Sequence, residues 1–176
     1  MEPANLGQHI HHRYDKELES LRIRVVSMGG LAERQISDAL TALRDHNTEL
    51  AQYVIRTDHR INAQEVNIDE DCTYVLARRQ PAAGDLRMVM AIIKTITDLE
   101  RIGDEAVKVA RQAVRLSEEG ISPSNFVEIR HIGKHVAAML RNSLDAFARF
   151  DMELAAEVVR EDHSVDEEYG SAMRSL

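Results

Sequence analysis

Apolar residues recur every three or four positions along most of the chain, which is the period of an amphipathic α-helix. Prolines stand only at positions 3, 81 and 123, so long stretches lack the residue that most often ends a helix. Residues 1–8 are expected to form a loose arm. The predicted helices span about residues 9–44, 47–80, 85–119, 123–150 and 151–176. The pattern indicates an all-α fold.

Residues with strong preferences for helix ends stand where the predicted helices meet. Asn47 and Asp151 are suited to cap the second and fifth helices, and Asp85 or Gly84 the third. Gly120 is a suitable residue just past the end of the third helix. The connection between the second and third helices is short, which predicts an antiparallel helical hairpin.

The clearest boundary in the chain lies after Gly120. Ser122-Pro123 is an N-cap followed by proline at the first helical position. We therefore divide the chain into residues 1–121, a first three-helix bundle, and residues 122–176, the first two helices of a second bundle.

An internal repeat supports this division. A shift of 104 residues overlays Glu49–His59 on Glu153–His163, and seven of these eleven positions are identical. Such self-similarity is typical of a duplicated structural unit, here one of three helices. The position that would match Glu100 lies beyond the last residue, Leu176. The second unit is therefore expected to be incomplete, as in a fragment or a C-terminally shortened protein.

Composition narrows the class of protein. Hydrophobic residues make up 44% and aromatic residues 4% with no Trp, which predicts an aliphatic core. The net charge of −8 argues against nucleic-acid binding. The single cysteine, Cys72, reads as core packing and fits a reducing cytoplasm, and no apolar run is long enough to span a membrane. Gly29-Gly30 is interpreted as a close helix contact or a slight bend rather than a phosphate loop, since no strand precedes it.

Carboxylates interrupt the apolar faces of two helices. Glu100 falls inside the apolar arc of the third helix and Asp104 at its edge; Asp58 and Glu65 occupy similar places on the second, with Asn62 beside them. The hairpin brings Glu65 level with Glu100 and Asn62 with about Asp104. Burying an unpaired carboxylate is costly. A basic partner, a shared proton or a metal ion must therefore compensate.

Two interpretations of this cluster stay open. Oxygen ligands alone suit hard cations such as Mg²⁺, Mn²⁺, Ca²⁺ and iron, and Asp162 and Asp166 would form the matching half-site of the second unit. The alternative is salt bridging, because Lys108 follows Asp104 by four residues and Arg101 adjoins Glu100.

A carboxylate-bridged metalloenzyme is the alternative function. Di-iron helical oxidases need Glu-x-x-His on two helices. Only Glu128 and His131 fit, and they lie opposite the apolar face of the fourth helix, where His131 and His135 are expected to be solvated.

Several motifs resemble the PhoU family of bacterial phosphate-signalling regulators. The residues that carry the resemblance are Arg79–Arg87 (RQPAAGDLR) and Leu99–Asp104 (LERIGD), with Glu17–Arg22, Met28–Gly30, Ala146–Arg149 and Arg160–Asp162 in family order. The resemblance implies two similar three-helix bundles. It also implies a negative regulator of the phosphate-starvation regulon that catalyses nothing. Such an adaptor couples the ATPase subunit of the phosphate ABC transporter to the sensor histidine kinase and modulates phosphate uptake.

The resemblance also implies metal clusters bound by Glu/Asp-x-x-x-Asp motifs. Glu100 with Asp104 and Asp162 with Asp166 match that motif. Asp58 with Asn62 departs from it, since the second carboxylate is an amide.

The last expectation concerns association. The fourth and fifth helices carry apolar stripes that the first unit covers with its third helix, and two helices alone bury little apolar surface. We therefore expect a homodimer through these helices; the alternatives are that they fold back on the first bundle or stay partly disordered. The stripe residues are Val136, Leu140, Leu144, Phe147, Leu154, Val158 and Val165.

Overall fold

The chain forms six α-helices in a computed structural model that describes residues 4–122 and 127–175, with side chains from 14 to 122 and from 127 to 174. Within these ranges there is no strand, which confirms the all-α fold. The helices are α1 (Ala4–Asp45), α2 (Thr48–Thr57), α3 (His59–Arg79), α4 (Ala83–Glu118), α5 (Val127–Arg149) and α6 (Met152–Ser175).

Three predicted helix ends are confirmed by their hydrogen bonds. The side-chain oxygen of Asn47 accepts from the Leu50 backbone amide at 2.9 Å, and an Asp151 carboxylate oxygen accepts from the Leu154 backbone amide at 2.9 Å. Gly120 has φ 68°, the left-handed conformation in which glycine closes a helix at little cost. Side-chain caps and a glycine thus satisfy the backbone groups that the helix ends leave unpaired.

Two other predicted ends were wrong, and one cannot be compared. α1 begins at Ala4, so residues 4–8 are helical rather than a loose arm. Ala82 precedes α4 as its N-cap residue and makes no side-chain capping hydrogen bond. Asp85 lies in the first turn of α4, where its negative charge interacts favourably with the helix dipole. The cap predicted at Ser122-Pro123 falls partly on residue 123, outside the described residues.

The predicted second helix is interrupted for one residue at Asp58, between α2 and α3. The hydroxyl of Thr57 donates to the carbonyl of Tyr53 at 2.9 Å and approaches that of Val54 at 3.3 Å. The Gln35 amide also donates to the Val54 carbonyl, at 3.4 Å. These side chains compete for carbonyl groups that a regular helix uses itself, which accounts for the interruption.

The core of the first bundle lies between α1, the α2–α3 pair and α4. Its side chains are aliphatic, as the composition predicts. Cys72 is buried among them. Its burial, and to a smaller extent the charge of the nearby Asp69 carboxylate, raises the pKa of its thiol to about 11. The largest fully buried side chains are Met28, Ile68, Ile92, Ile96, Val25, Val54, Val89 and Cys72.

Helix α5 packs antiparallel against α1 through two reciprocal contacts. A Cβ added to Gly29 would overlap the side chain of Leu144, and one added to Gly133 would overlap that of Leu40. Because 29 and 133, like 40 and 144, differ by 104, the first helices of the two units meet through equivalent residues. This confirms the interpretation of Gly29 as a close helix contact.

The stripe of α5 is therefore covered mainly by α1. Leu140 and Leu144 are buried in the same core cluster as the first bundle, whereas Val136 stays 39% exposed. The second unit thus folds back on the first, which was the alternative to pairing with another copy. The homodimer stays a prediction.

Helix α6 packs against α5, and a histidine joins them. His135 Nε2 lies 2.8 Å from a Glu161 carboxylate oxygen and Nδ1 lies 3.4 Å from Glu168. The carboxylate of Glu161, and then that of Glu168, raises the pKa of His135 although partial burial opposes the shift. The expectation that His135 is solvated was wrong, because α6 covers the face of α5 that carries it, while His131 is exposed.

Arg79 and Glu17, which belong to two of the motifs described above, join α3 to α1 through an ion pair. The Arg79 guanidinium donates to both carboxylate oxygens of Glu17, at 2.9 and 2.6 Å, and so ties the end of α3 to α1. These motif residues thus have a structural role.

Candidate functional site

The four carboxylates of the first unit lie on α4 and on the α2–α3 pair that packs against it. Asp58 stands at the interruption between α2 and α3, Glu65 on α3, and Glu100 and Asp104 on α4. Burial raises the pKa of Glu100, and the charges of Asp104, Glu65 and Asp58 raise it further, in that order. Glu100 thus lies within the electrostatic reach of the other three carboxylates, which is consistent with the hairpin argument from the sequence.

Their exposure differs around the cluster. Asp58, Glu65 and Glu100 are half-buried, whereas Asp104 and Asn62 are exposed. The cluster thus opens to solvent on the side of Asp104 and Asn62.

Sequence analysis missed Gln35 of α1, which closes the buried side of the cluster. Its side chain is 6% exposed, and its amide nitrogen donates to an Asp58 carboxylate oxygen at 3.0 Å. Among the described residues, its amide oxygen has no hydrogen-bond partner. A polar residue on the apolar arc of the first helix was the available signal, the same one that singled out Glu100.

Gly103 lets α4 come close to this part of the cluster. A Cβ added there would lie 3.2 Å from the Gln35 amide oxygen and 3.5 Å from an Asp58 carboxylate oxygen. The glycine of the LERIGD motif therefore shapes the space beside these oxygens.

The salt bridges considered for the cluster are formed elsewhere. Lys108 binds Glu105 at 2.7 Å, and Arg101 lies 3.5 Å from Asp98. Within the part of the chain that the structure describes, none of the four carboxylates has a cationic side chain within 4.0 Å. Their mutual repulsion is thus left without a paired cation.

The oxygens do not converge into a ready ligand set. Over the same described residues, no group of three or more His, Cys, Asp or Glu side chains is positioned to hold a metal ion. The cluster has the charge and donor chemistry for a hard cation, and side-chain rotation would be required to bind one directly.

The second unit repeats only part of this arrangement. Asp162 and Asp166 are exposed on α6, which is uninterrupted where α2 and α3 are divided at Asp58. The counterpart of Gln35 in the repeat is Met139, which lacks the amide that holds Asp58. The two aspartates therefore lie on a regular, solvated helix face.

No helix in the described ranges is both long and apolar enough to span a membrane.

A family model described as the PhoU domain matches residues 25–113 and 129–176. The chain is 53% identical over 172 residues to a Pseudomonas aeruginosa protein named phosphate-specific transport system accessory protein PhoU homolog, covering 98% of this chain and 71% of the relative. It is 46% identical over 176 residues to the Escherichia coli phosphate-specific transport system accessory protein PhoU, covering 100% of this chain and 73% of that protein.

Solved structures agree with the sequence comparisons. The crystal structure of PhoU from Pseudomonas aeruginosa superposes with a TM-score of 0.89 at 54% identity, over 92% of this chain and 78% of that one. The phosphate transport system regulatory protein PhoU from Streptococcus pneumoniae gives a TM-score of 0.84 at 30% identity, over 92% and 76%. The repeated helical fold predicted from the sequence is thus confirmed.

Proposed function

Because this chain belongs to the PhoU family, we propose that it is a negative regulator of the phosphate-starvation regulon. In this proposal it is an adaptor without catalytic activity, which couples the ATPase subunit of a phosphate ABC transporter to a sensor histidine kinase in the cytoplasm. The observation that carries it is the 53% identity, over 98% of the chain, to a relative named as an accessory protein of the phosphate-specific transport system.

The architecture supports binding through surfaces. Long helices with polar outer faces provide an extended, rigid contact area. The partly buried carboxylate cluster around Glu100 repels a free phosphate anion. We expect the kinase and the ATPase to contact exposed helix faces.

A reporter strain tests the regulatory role. In a bacterium whose own regulator gene is deleted, expression of this chain should lower the activity of a phosphate-starvation promoter in phosphate-rich medium. Expression of the same chain should leave that promoter active during starvation. Equal promoter activity with and without the chain, at confirmed protein levels, would contradict the proposal.

We further propose that the carboxylate cluster of α2, α3 and α4 binds a hard cation. The residues that would hold it are Asp58, Glu65, Glu100 and Asp104, with Asn62 as a neutral oxygen ligand at the rim. The unpaired, buried Gln35 amide oxygen and the like charges around Glu100 support this proposal. When bound, the ion would neutralise the repulsion between α4 and the α2–α3 pair. Asp162 and Asp166 are the corresponding proposal for the second unit.

The Glu100→Gln variant distinguishes metal binding from the effect of carboxylate repulsion on stability. Without metal, Glu100→Gln should raise the free energy of unfolding by about 0.5 kcal/mol, since it removes a like-charge pair four residues apart on one helix. With added Mn²⁺ or Mg²⁺, the unfolding temperature of the wild-type chain should rise, and that of the variant should not.

Asp98→Asn is the matched control, because Asp98 is an exposed carboxylate on the same helix outside the cluster. It should keep the metal response. An equal response in the Glu100 and Asp98 variants, or none in the wild-type chain, would refute the site. Hydrolytic or oxidative turnover in the loaded protein that Glu100→Gln abolishes would favour the metalloenzyme alternative.

A further inference from the structure

A groove of about 550 Å³ runs along the crossing of α1 and α5. In the described part of the chain, only residues of these two helices line it. It uses the equivalent face of both, since Gly30 and Lys134, and likewise Ser37 and Arg141, differ by 104. The groove therefore lies across the approximate twofold relation between the two units.

The charge of this groove is opposite to that of the chain. The chain carries a net charge of −8, whereas the groove is lined by five cationic side chains and one carboxylate, Glu33. The cationic residues are Arg34, Arg44, Arg130, Lys134 and Arg141. Such a local excess attracts an anionic ligand.

The cations are spread along the groove rather than gathered at a point. Arg34 and Arg44 are ten residues apart on α1, and Arg130 and Arg141 are eleven apart on α5. At 1.5 Å per helical residue each pair is separated by about 15 Å along the helix. The cationic side chains therefore line the groove over about the length of five extended residues, which is more than a single phosphate ion contacts at once.

Apolar residues line the groove beside the charged ones. Gly30, Leu40, Ala137 and Ala138 are among its lining residues, together with the hydroxyl residues Ser37 and Thr41. Polyphosphate carries charge at every unit and has no group that complements the apolar residues. A peptide that alternates carboxylates with apolar side chains complements both the cationic and the apolar residues.

Two of the cations are available for such a ligand. Arg44 is paired with Asp45, and Arg141 with Glu33. Arg34 and Lys134 are exposed and have no ion pair among the described residues.

We propose that the groove between α1 and α5 binds an acidic segment of a partner protein, with its carboxylates on Arg34 and Lys134 and its apolar side chains against Leu40, Ala137 and Ala138. A helix packed on α5 as α4 packs on α1 would leave the groove open, because α4 does not line it. The identity of the partner as the kinase or the ATPase rests on the proposed function; the chemistry of the groove does not.

The test uses a fluorescently labelled peptide that alternates Glu and Leu, titrated with the intact chain in an anisotropy assay. The double variant Arg34→Glu/Lys134→Glu should weaken binding at least about tenfold relative to the wild-type chain. Lys108→Glu, which reverses an exposed cation on α4 outside the groove, should change it less than about twofold. Circular dichroism should show unchanged helicity in both variants, since all three positions are exposed.

The same variants are then tested with the purified kinase and ATPase. If the wild-type chain binds a partner and the double variant does not, the inference is supported. If both bind equally, the groove is not the docking site, although the adaptor function stands; if neither partner binds the wild-type chain, that function fails and the peptide titration decides the groove alone. Absent peptide binding, equal peptide binding by the double variant, or binding of polyphosphate or inorganic phosphate in place of the peptide would overturn the inference.

Discussion

Gly29 and Gly30 are neighbours in the sequence but lie in different surroundings. A methyl group at Gly29 would overlap Leu144 of α5, whereas one at Gly30 would meet no atom within 4 Å. At the residue scale, the approach of the two units is therefore set by whether a hydrogen or a methyl group faces the opposing leucine.

This pair gives a matched prediction. Gly30→Ala should raise the free energy of unfolding by about 0.5–1 kcal/mol, the usual gain in a helix interior. Gly29→Ala should lose that gain and more, because forcing a methyl group into a packed contact costs about 1–3 kcal/mol. Urea unfolding of both variants measures the difference, and equal stabilities would contradict the packing of α5 on α1.

Single residues also show the limits of the sequence. The carboxylates near Glu100 could be predicted because helical period and hairpin geometry depend on spacing alone. Gln35 could not be assigned to them, since its helix precedes the hairpin and only packing shows which face of α1 meets Asp58. The alternative of salt bridges to Asp104 and Glu100 is not realised, since Lys108 binds Glu105 and Arg101 lies near Asp98.

At the scale of elements, the helices were predictable and their irregularities were not. Periodicity and caps gave the helices after residue 44 within a few residues. The interruption at Asp58 depends on Thr57 and on Gln35, a residue distant in sequence, so a local pattern cannot predict it. In the second unit Glu161 replaces Thr57 and Met139 replaces Gln35, and α6 is uninterrupted.

The attachment of α6 to α5 should depend on pH through His135. The pKa of His135 is raised in the folded chain. Its pairing with Glu161 therefore stabilises the fold fully at pH values below the unfolded pKa, about 6.5. This contribution is lost as the pH rises through the folded pKa. The wild-type chain should exceed the His135→Gln variant in free energy of unfolding, and this excess should be about 0.5–1 kcal/mol larger at pH 5.5 than at pH 8.5. His131→Gln, an exposed histidine one turn away, should show no such difference. Urea unfolding at both pH values checks this, and parallel behaviour of the two variants would refute the pairing.

At the scale of the whole molecule, net charge and repeat describe different things. The net charge of −8 conceals the basic groove, since composition carries no information on where charges meet. The repeat predicts two similar units, and the structure adds that their first helices meet through equivalent residues, Gly29 with Leu144 and Leu40 with Gly133. The fold could thus be predicted more fully than the surfaces between units, which depend on contacts far apart in sequence.

Binding of the purified chain to the transporter ATPase subunit and to the cytoplasmic part of the sensor kinase from the same bacterium tests the adaptor function most directly. Surface plasmon resonance with each immobilised partner should give saturable binding that weakens as salt is added, because the exposed contacts are charged. An unrelated acidic helical protein should give no signal. No saturable binding to either partner at tens of micromolar would contradict the adaptor function.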